Sequence, residues 1–160
     1  MNAQEKFDQL KTEFNLKDSD FYFLDLIPLI CMIWADGDNQ DPELQILYHF
    51  VIKHIAYLDK EAGIHVVSTD DATDFLDRFA HSKPSSRLLD ELRSIAVDSD
   101  RKTFEAVKKT VFDYCLDIAA ACVTQYPYDI RGRILDSEKE LLITLFHEFN
   151  FVPEKETGAC

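Results

Sequence analysis

Residues Lys102–Gln125 read KTFEAVKKTVFDYCLDIAAACVTQ, and this stretch decides the fold class. Phe104, Val107, Val111, Cys115, Ile118 and Cys122 recur at spacings of three and four. That period predicts one long helix with an apolar stripe held for about five turns. The same period extends outward. Phe7, Leu10 and Phe14 predict an amphipathic helix over 3–15. Asp18 or Ser19 can cap a second helix that carries the apolar run 21–35. Pro28 removes a backbone donor there, so the helix should kink or divide. A loop is expected over 36–40. Asp41 caps a third helix with Pro42 at its first position. Leu44, Leu47, Val51, Ile55 and Leu58 line one side of it. Ile46, Phe50 and Ile52 add a second apolar side, which predicts a central place for this helix.

Beyond it, 60–69 reads as a loop around Gly63, with no second strand for 64–67 to pair with. Thr69 or Asp70 starts a short helix through Phe79. After a break at 82–85, Leu88, Leu89, Leu92 and Ile95 mark another helix. A turn at 98–100 precedes the long helix and a loop at 126–136 follows it. Asp136 then caps a last helix through Leu141, Leu142, Leu145, Phe146 and Phe149. The expected architecture is all-α: one bundle of about seven helices over 1–152 and a tail over 153–160.

Composition agrees. The chain has 160 residues, about one domain, with only four glycines and five prolines. It needs no disulfides to hold a core of this size. Acids number 30 against 17 Lys and Arg, for a net charge of −13. That balance argues against nucleic acid and against an anionic membrane surface, both of which repel acidic proteins. The run 21–35, interrupted by Asp25 and Pro28, is too short to span a bilayer. Cys31, Cys115, Cys122 and Cys160 form no CxxC pair. Cys115 and Cys122 lie about 10 Å apart along one helix, too far to bridge. They read as small buried apolar residues plus one tail thiol. The start of the chain, residues 1–6, is polar and lacks the apolar segment of a signal peptide. The expected setting is a reducing cytoplasm.

Two turns share a pattern. Residues 37–51 align with 132–146 so that Gly37 matches Gly132, Asp41 matches Asp136 and Glu43 matches Glu138. The apolar positions that follow align as well, which suggests two related helix–loop–helix halves. Helix capping explains much of Gly-x-x-x-Asp-x-Glu: a glycine to end one helix, an aspartate to cap the next, a glutamate in the field of its N-terminus. The first loop nevertheless holds more carboxylates than capping needs. Asp36, Asp38, Asp41 and Glu43 fall together. Between Lys17 and Lys53 there is no Lys or Arg, yet Asp18, Asp20 and Asp25 join those four. Clustered carboxylates repel unless a cation compensates, and Ca²⁺ or Mg²⁺ is the oxygen-seeking choice. The loop is not an EF-hand, since Asp41 stands where Gly belongs and Leu47 where the last Glu belongs. Neither loop offers the His or Cys that zinc prefers.

Trp34-Ala35-Asp36-Gly37 followed by Glu43 resembles the Ala-Asp-Gly…Glu signature of the TerB-like, tellurite-resistance family. Its fold is similar to the N-terminal helical part of the DnaJ-like co-chaperone DjlA. Gly132…Asp136-x-Glu138 resembles the family's second acidic motif. The resemblance covers about 26–52 and 116–147; the middle, 60–100, adds nothing to it. It implies an all-α bundle whose acidic motifs bind metal ions, with a role in tellurite or general stress resistance as a scaffold or sensor. Carried over, the ligand candidates are Asp36, Asp41 and Glu43, then Asp136 and Glu138. Asp38 and Glu140 join them from this sequence's own chemistry. The second motif departs from the first in having Arg131-Gly132-Arg133 where the first has Asp36-Gly37-Asp38.

No Gly-x-Ser-x-Gly, P-loop or dinucleotide fingerprint is present. The five histidines do not share a ligating face and read as packing or surface residues. Arg101, Lys102, Lys108 and Lys109 form a solvated basic face suited to an acidic partner or another copy. The resulting expectation is a non-enzymatic domain that binds a divalent cation, uses no organic cofactor, and works through a protein partner in a stress-response complex, with self-association as a further option. The alternative is a metal-free, co-chaperone-like interaction module. A metal-dependent hydrolase ranks last, because no base or nucleophile is paired with the carboxylates.

Overall fold

A computed structural model describes residues 3–35, 41–98, 101–125 and 139–149. Helix α1 spans Ala3–Phe14 and buries Ala3, Phe7 and Leu10. It ends at Asn15, whose φ of 57° is the left-handed conformation that asparagine tolerates, and the Leu16 amide closes back on the Lys11 carbonyl at 3.0 Å.

The expected second helix divides at Pro28. Asp18–Leu26 is a 3-10 helix and α2 runs from Ile27 to Trp34. The Leu24 carbonyl, which an α-helix would give to the amide of residue 28, is taken by the Ile27 amide instead. Proline has no amide to offer, so the tighter turn is the local solution. Neither Asp18 nor Ser19 is the cap. Lys17 occupies that position, and the Asp20 carboxylate accepts its backbone N–H at 2.9 Å.

Seven consecutive residues of α2, Ile27 through Ile33, are buried. A short helix that is apolar all round belongs in the middle, and α3, α5 and α6 pack around it. This corrects the expectation for the third helix. α3 (Asp41–Ala62) buries Leu44, Leu47, Phe50, Val51 and His54 on one face, whereas Ile52 is 70% exposed. Gly63, at φ 74°, ends α3. The α4 helix (Thr69–Phe79) starts at Thr69, as expected, and Ser68 caps it. Ser68 Oγ accepts the Asp71 amide at 3.0 Å, and the Asp71 carboxylate accepts the Ser68 amide at 3.2 Å. Ser85 caps α5 (Ser86–Ala96) through the Leu88 amide. α6 covers Lys102–Gln125, as its stripe predicts. A last helix, α7, covers 139–148. The described residues contain no strand and no helix long and apolar enough to cross a membrane.

Phenylalanines weld the layers: Phe23 lies 5.0 Å from Phe75, Phe75 lies 4.5 Å from Phe79, and Phe104 meets Phe149 edge-on at 4.9 Å. Two ion pairs join the 3-10 segment to distant helices. Arg78 of α4 grips both oxygens of Asp20 at 2.9 and 2.6 Å. Arg101, just before α6, donates to Asp25 Oδ1 at 2.9 Å and to the Ala96 carbonyl at 2.7 Å. The Asp25 and Arg101 side chains are only 1% and 8% exposed. Removing one partner strands a buried charge. We expect Arg101→Met to lower unfolding stability by about 3–5 kcal/mol, and Asp25→Leu added to it to recover a large part of the loss. Urea denaturation of the three chains checks this; a single mutant as stable as the native chain would contradict it.

Candidate functional site

The four acids of the first loop divide at the start of α3. Asp36 and Asp38 lie outside the described residues. Asp41 is exposed at the first turn of α3, while Glu43, two residues on, is completely buried. Two residues are about 200° of helix rotation, so these side chains leave the helix on opposite sides. In the second motif, Asp136 and Glu138 lie outside the described residues, and Glu140 is exposed on α7. The pairing of the two half-motifs as an internal repeat falls in the same undescribed segments.

The flanks of the two motifs do meet. Trp34 and Ala35, which lead into the first loop, line one cavity of about 390 Å³ with Glu140, Leu141 and Thr144. Trp34 is anchored there by its indole N–H, which donates to the Phe79 carbonyl at 2.9 Å. Arg93 of α5 lines the same cavity and lies 3.1 Å from Glu148 of α7. Cys31 faces it too. Burial pushes that thiol up to about 11 against the opposing pull of Arg93, so it stays protonated and unreactive at neutral pH. Cys31 and Cys115 are both buried and in no disulfide, as small apolar residues would be. Among the described residues, no group of three or more His, Cys, Asp or Glu side chains is placed to hold a metal ion.

The acid excess between Lys17 and Lys53 is answered in part from elsewhere. Asp18 pairs with Lys11, Asp20 with Arg78 and Asp25 with Arg101. Of the other four, Asp36 and Asp38 lie outside the described residues and Glu43 is buried. Asp41 makes no ion pair with a described residue. The histidines are packing and surface groups, as read. His81 and His49 meet the hydroxyls of Tyr48 and Tyr114, and His65 meets Asp59.

Sequence reasoning did not find the Asp25 surroundings. His54 is 3% exposed, stacks on Phe50, and directs Nε2 to the Tyr22 carbonyl at 3.1 Å. Its Nε2 is also 3.6 Å from Asp25 Oδ2. The run Phe50–His54–Tyr57 at helical spacing was the available signal. No protein-family model, no curated protein and no solved structure matches the chain, so the resemblance to the TerB-like family rests on the motif residues alone.

Burial holds His54 below its ordinary value, outweighing the attraction of Asp25. The unfolded chain therefore takes up this proton more readily than the folded one. The stability from a neutral His54 is complete above about pH 6.5 and is lost as pH falls through the lower folded value. We expect melting temperature to drop between pH 7 and pH 5. In His54→Gln, which keeps a donor for Tyr22, the drop should be shallower. A mutant with the same slope as the native chain would contradict the assignment.

Proposed function

We propose that this chain is a non-enzymatic, acidic helical scaffold that binds a divalent cation, calcium or magnesium, through the 36–43 loop with help from 136–140. It would pass the loaded state to a protein partner, in the manner of a TerB-like domain serving tellurite or general stress resistance. The observation that carries this reading is the shared cavity: Trp34 and Ala35 enter the first acidic loop beside Glu140, which leaves the second. The sequence neighbours of both acidic motifs thus share one cavity, and the carboxylates of the two motifs would supply the oxygen ligands. A hard cation with six or more oxygen ligands uses such a set, and its charge relieves the mutual repulsion of the carboxylates.

Binding confined to the folded state raises stability by mass action. At a cation concentration a hundredfold above its dissociation constant, the melting temperature should rise by about 5–11 °C. Asp36→Asn combined with Asp41→Asn should abolish the rise while leaving the cation-free melting temperature close to that of the native chain. Fluorimetry across millimolar Ca²⁺, Mg²⁺ and Mn²⁺ measures both. A melting curve unmoved by all three ions would overturn the proposal and leave the metal-free interaction module as the better reading.

A further inference from the structure

The face between α3 and α4 has no part in the cation reading. The two helices run in opposite directions, with a gap between them. Near one end the Tyr48 hydroxyl lies 2.6 Å from His81 Nε2, just past α4. At the other, Asp59 accepts the Val66 amide at 2.9 Å, just before α4. Between these ends, Tyr48, Ile52 and Ile55 of α3 and Thr69, Thr73 and Leu76 of α4 line an open groove of about 360 Å³. Val51 and Ala72, both buried, complete its lining. Each helix contributes positions i, i+3, i+4 and i+7, so the groove runs parallel to both helices for about two turns. Ile52, 70% exposed, stands in it as an apolar knob without a core to fill.

An isolated exposed isoleucine needs no explanation, but one set in a two-helix apolar trough is the arrangement into which an amphipathic helix fits. Charge selects the occupant. The outer edge of α4 carries Asp70 and Asp77, seven residues apart and both exposed, with Asp77 also meeting His81 Nδ1 at 2.8 Å. Asp59 closes the other end, bound to His65. Lys53 and Lys60 occupy only the outer edge of α3. A second copy of this chain brings its own net charge of −13 and is repelled. A basic segment is attracted.

We propose that this groove docks an amphipathic α-helix from a basic partner. The helix seats its apolar i, i+3/i+4, i+7 stripe on Val51, Ile52, Ile55 and Leu76, and lays its Lys or Arg edge along Asp70 and Asp77. Two turns of contact make the site a weak, rapidly exchanging one, whose specificity comes from the acidic edge.

The test uses the full chain in EDTA at about 0.15 M salt, so that exposed charges act only at short range and cation loading plays no part. The probe is a synthetic amphipathic helix of about 18 residues built from Leu, Ala and Lys, beside a twin with Glu for Lys. Titration followed by ¹⁵N chemical shifts should give saturable changes confined to 48–55 and 69–77 for the lysine peptide and none for its twin. Ile52→Asp and the pair Asp70→Asn with Asp77→Asn should each weaken binding by about tenfold or more while the chain still melts in one cooperative transition. No saturable shift, shifts mapping to another face, or an affinity unchanged in Ile52→Asp would overturn the proposal. So would a concentration-dependent dimer of the free chain that Ile52→Asp dissolves, since the groove would then belong to a second copy.

Discussion

Asp20 and Asp25 lie in the 3-10 segment with almost no contact with water, and the rest of the fold depends on how their charges are met. A buried carboxylate costs several kcal/mol unless a partner is held in good geometry. Arg78 brings α4 to Asp20 with a two-pronged grip, and Arg101 brings the start of α6 to Asp25. The second guanidinium also holds the Ala96 carbonyl at the end of α5, so one side chain ties three parts of the chain together. These contacts add orientation more than net stability. A core of phenylalanines could slide; a forked guanidinium on a carboxylate cannot.

The constraint begins with a proline. Pro28 cannot accept an α-helical place four residues after Leu24, so the chain ahead of it winds more tightly. At three residues per turn, Asp20, Phe23 and Leu26 fall on one line, and all three are buried. The winding that sends Phe23 and Leu26 inward carries Asp20 with them. α2 then starts in a fresh phase and is surrounded on every side, which leaves α3 on the outside with a face to spare. The exposed Ile52 and the groove beside it follow from that displacement.

The cavity at the acidic end and the groove between α3 and α4 are different in kind. The first is bounded by Arg93 and Glu140 as well as apolar walls. The second is an apolar trough with charge only along its edges. Cation loading and helix docking would then use separate surfaces, linked by α3, whose first turn carries Asp41 and Glu43 and whose middle carries Ile52.

Local rules were legible from the residues. The α6 stripe, the stop at Gly63, the break at Pro28 and the burial of Cys31 and Cys115 each follow from neighbours within a turn or two, and so could be read from spacing. Of the acidic motifs, only Asp41, Glu43 and Glu140 fall within the described residues, and the first two leave α3 on opposite sides. Partnership across the chain was not. Asp20 and Arg78 are 58 residues apart, and Asp25 and Arg101 are 76 apart. Periodicity carries no record of which distant helix turns a cation toward which carboxylate. The expectation that α3 would be central failed for the same reason. Ile46, Phe50 and Ile52 read as a second core face, but a helix cannot show which of its apolar sides meets another element. What the sequence determined by itself was where helices start, stop and turn tight, because those are choices of adjacent backbone groups. Only the tertiary structure decided which charges are buried, which helix is central and which apolar face is left to solvent, because burial is a property of the whole packed molecule.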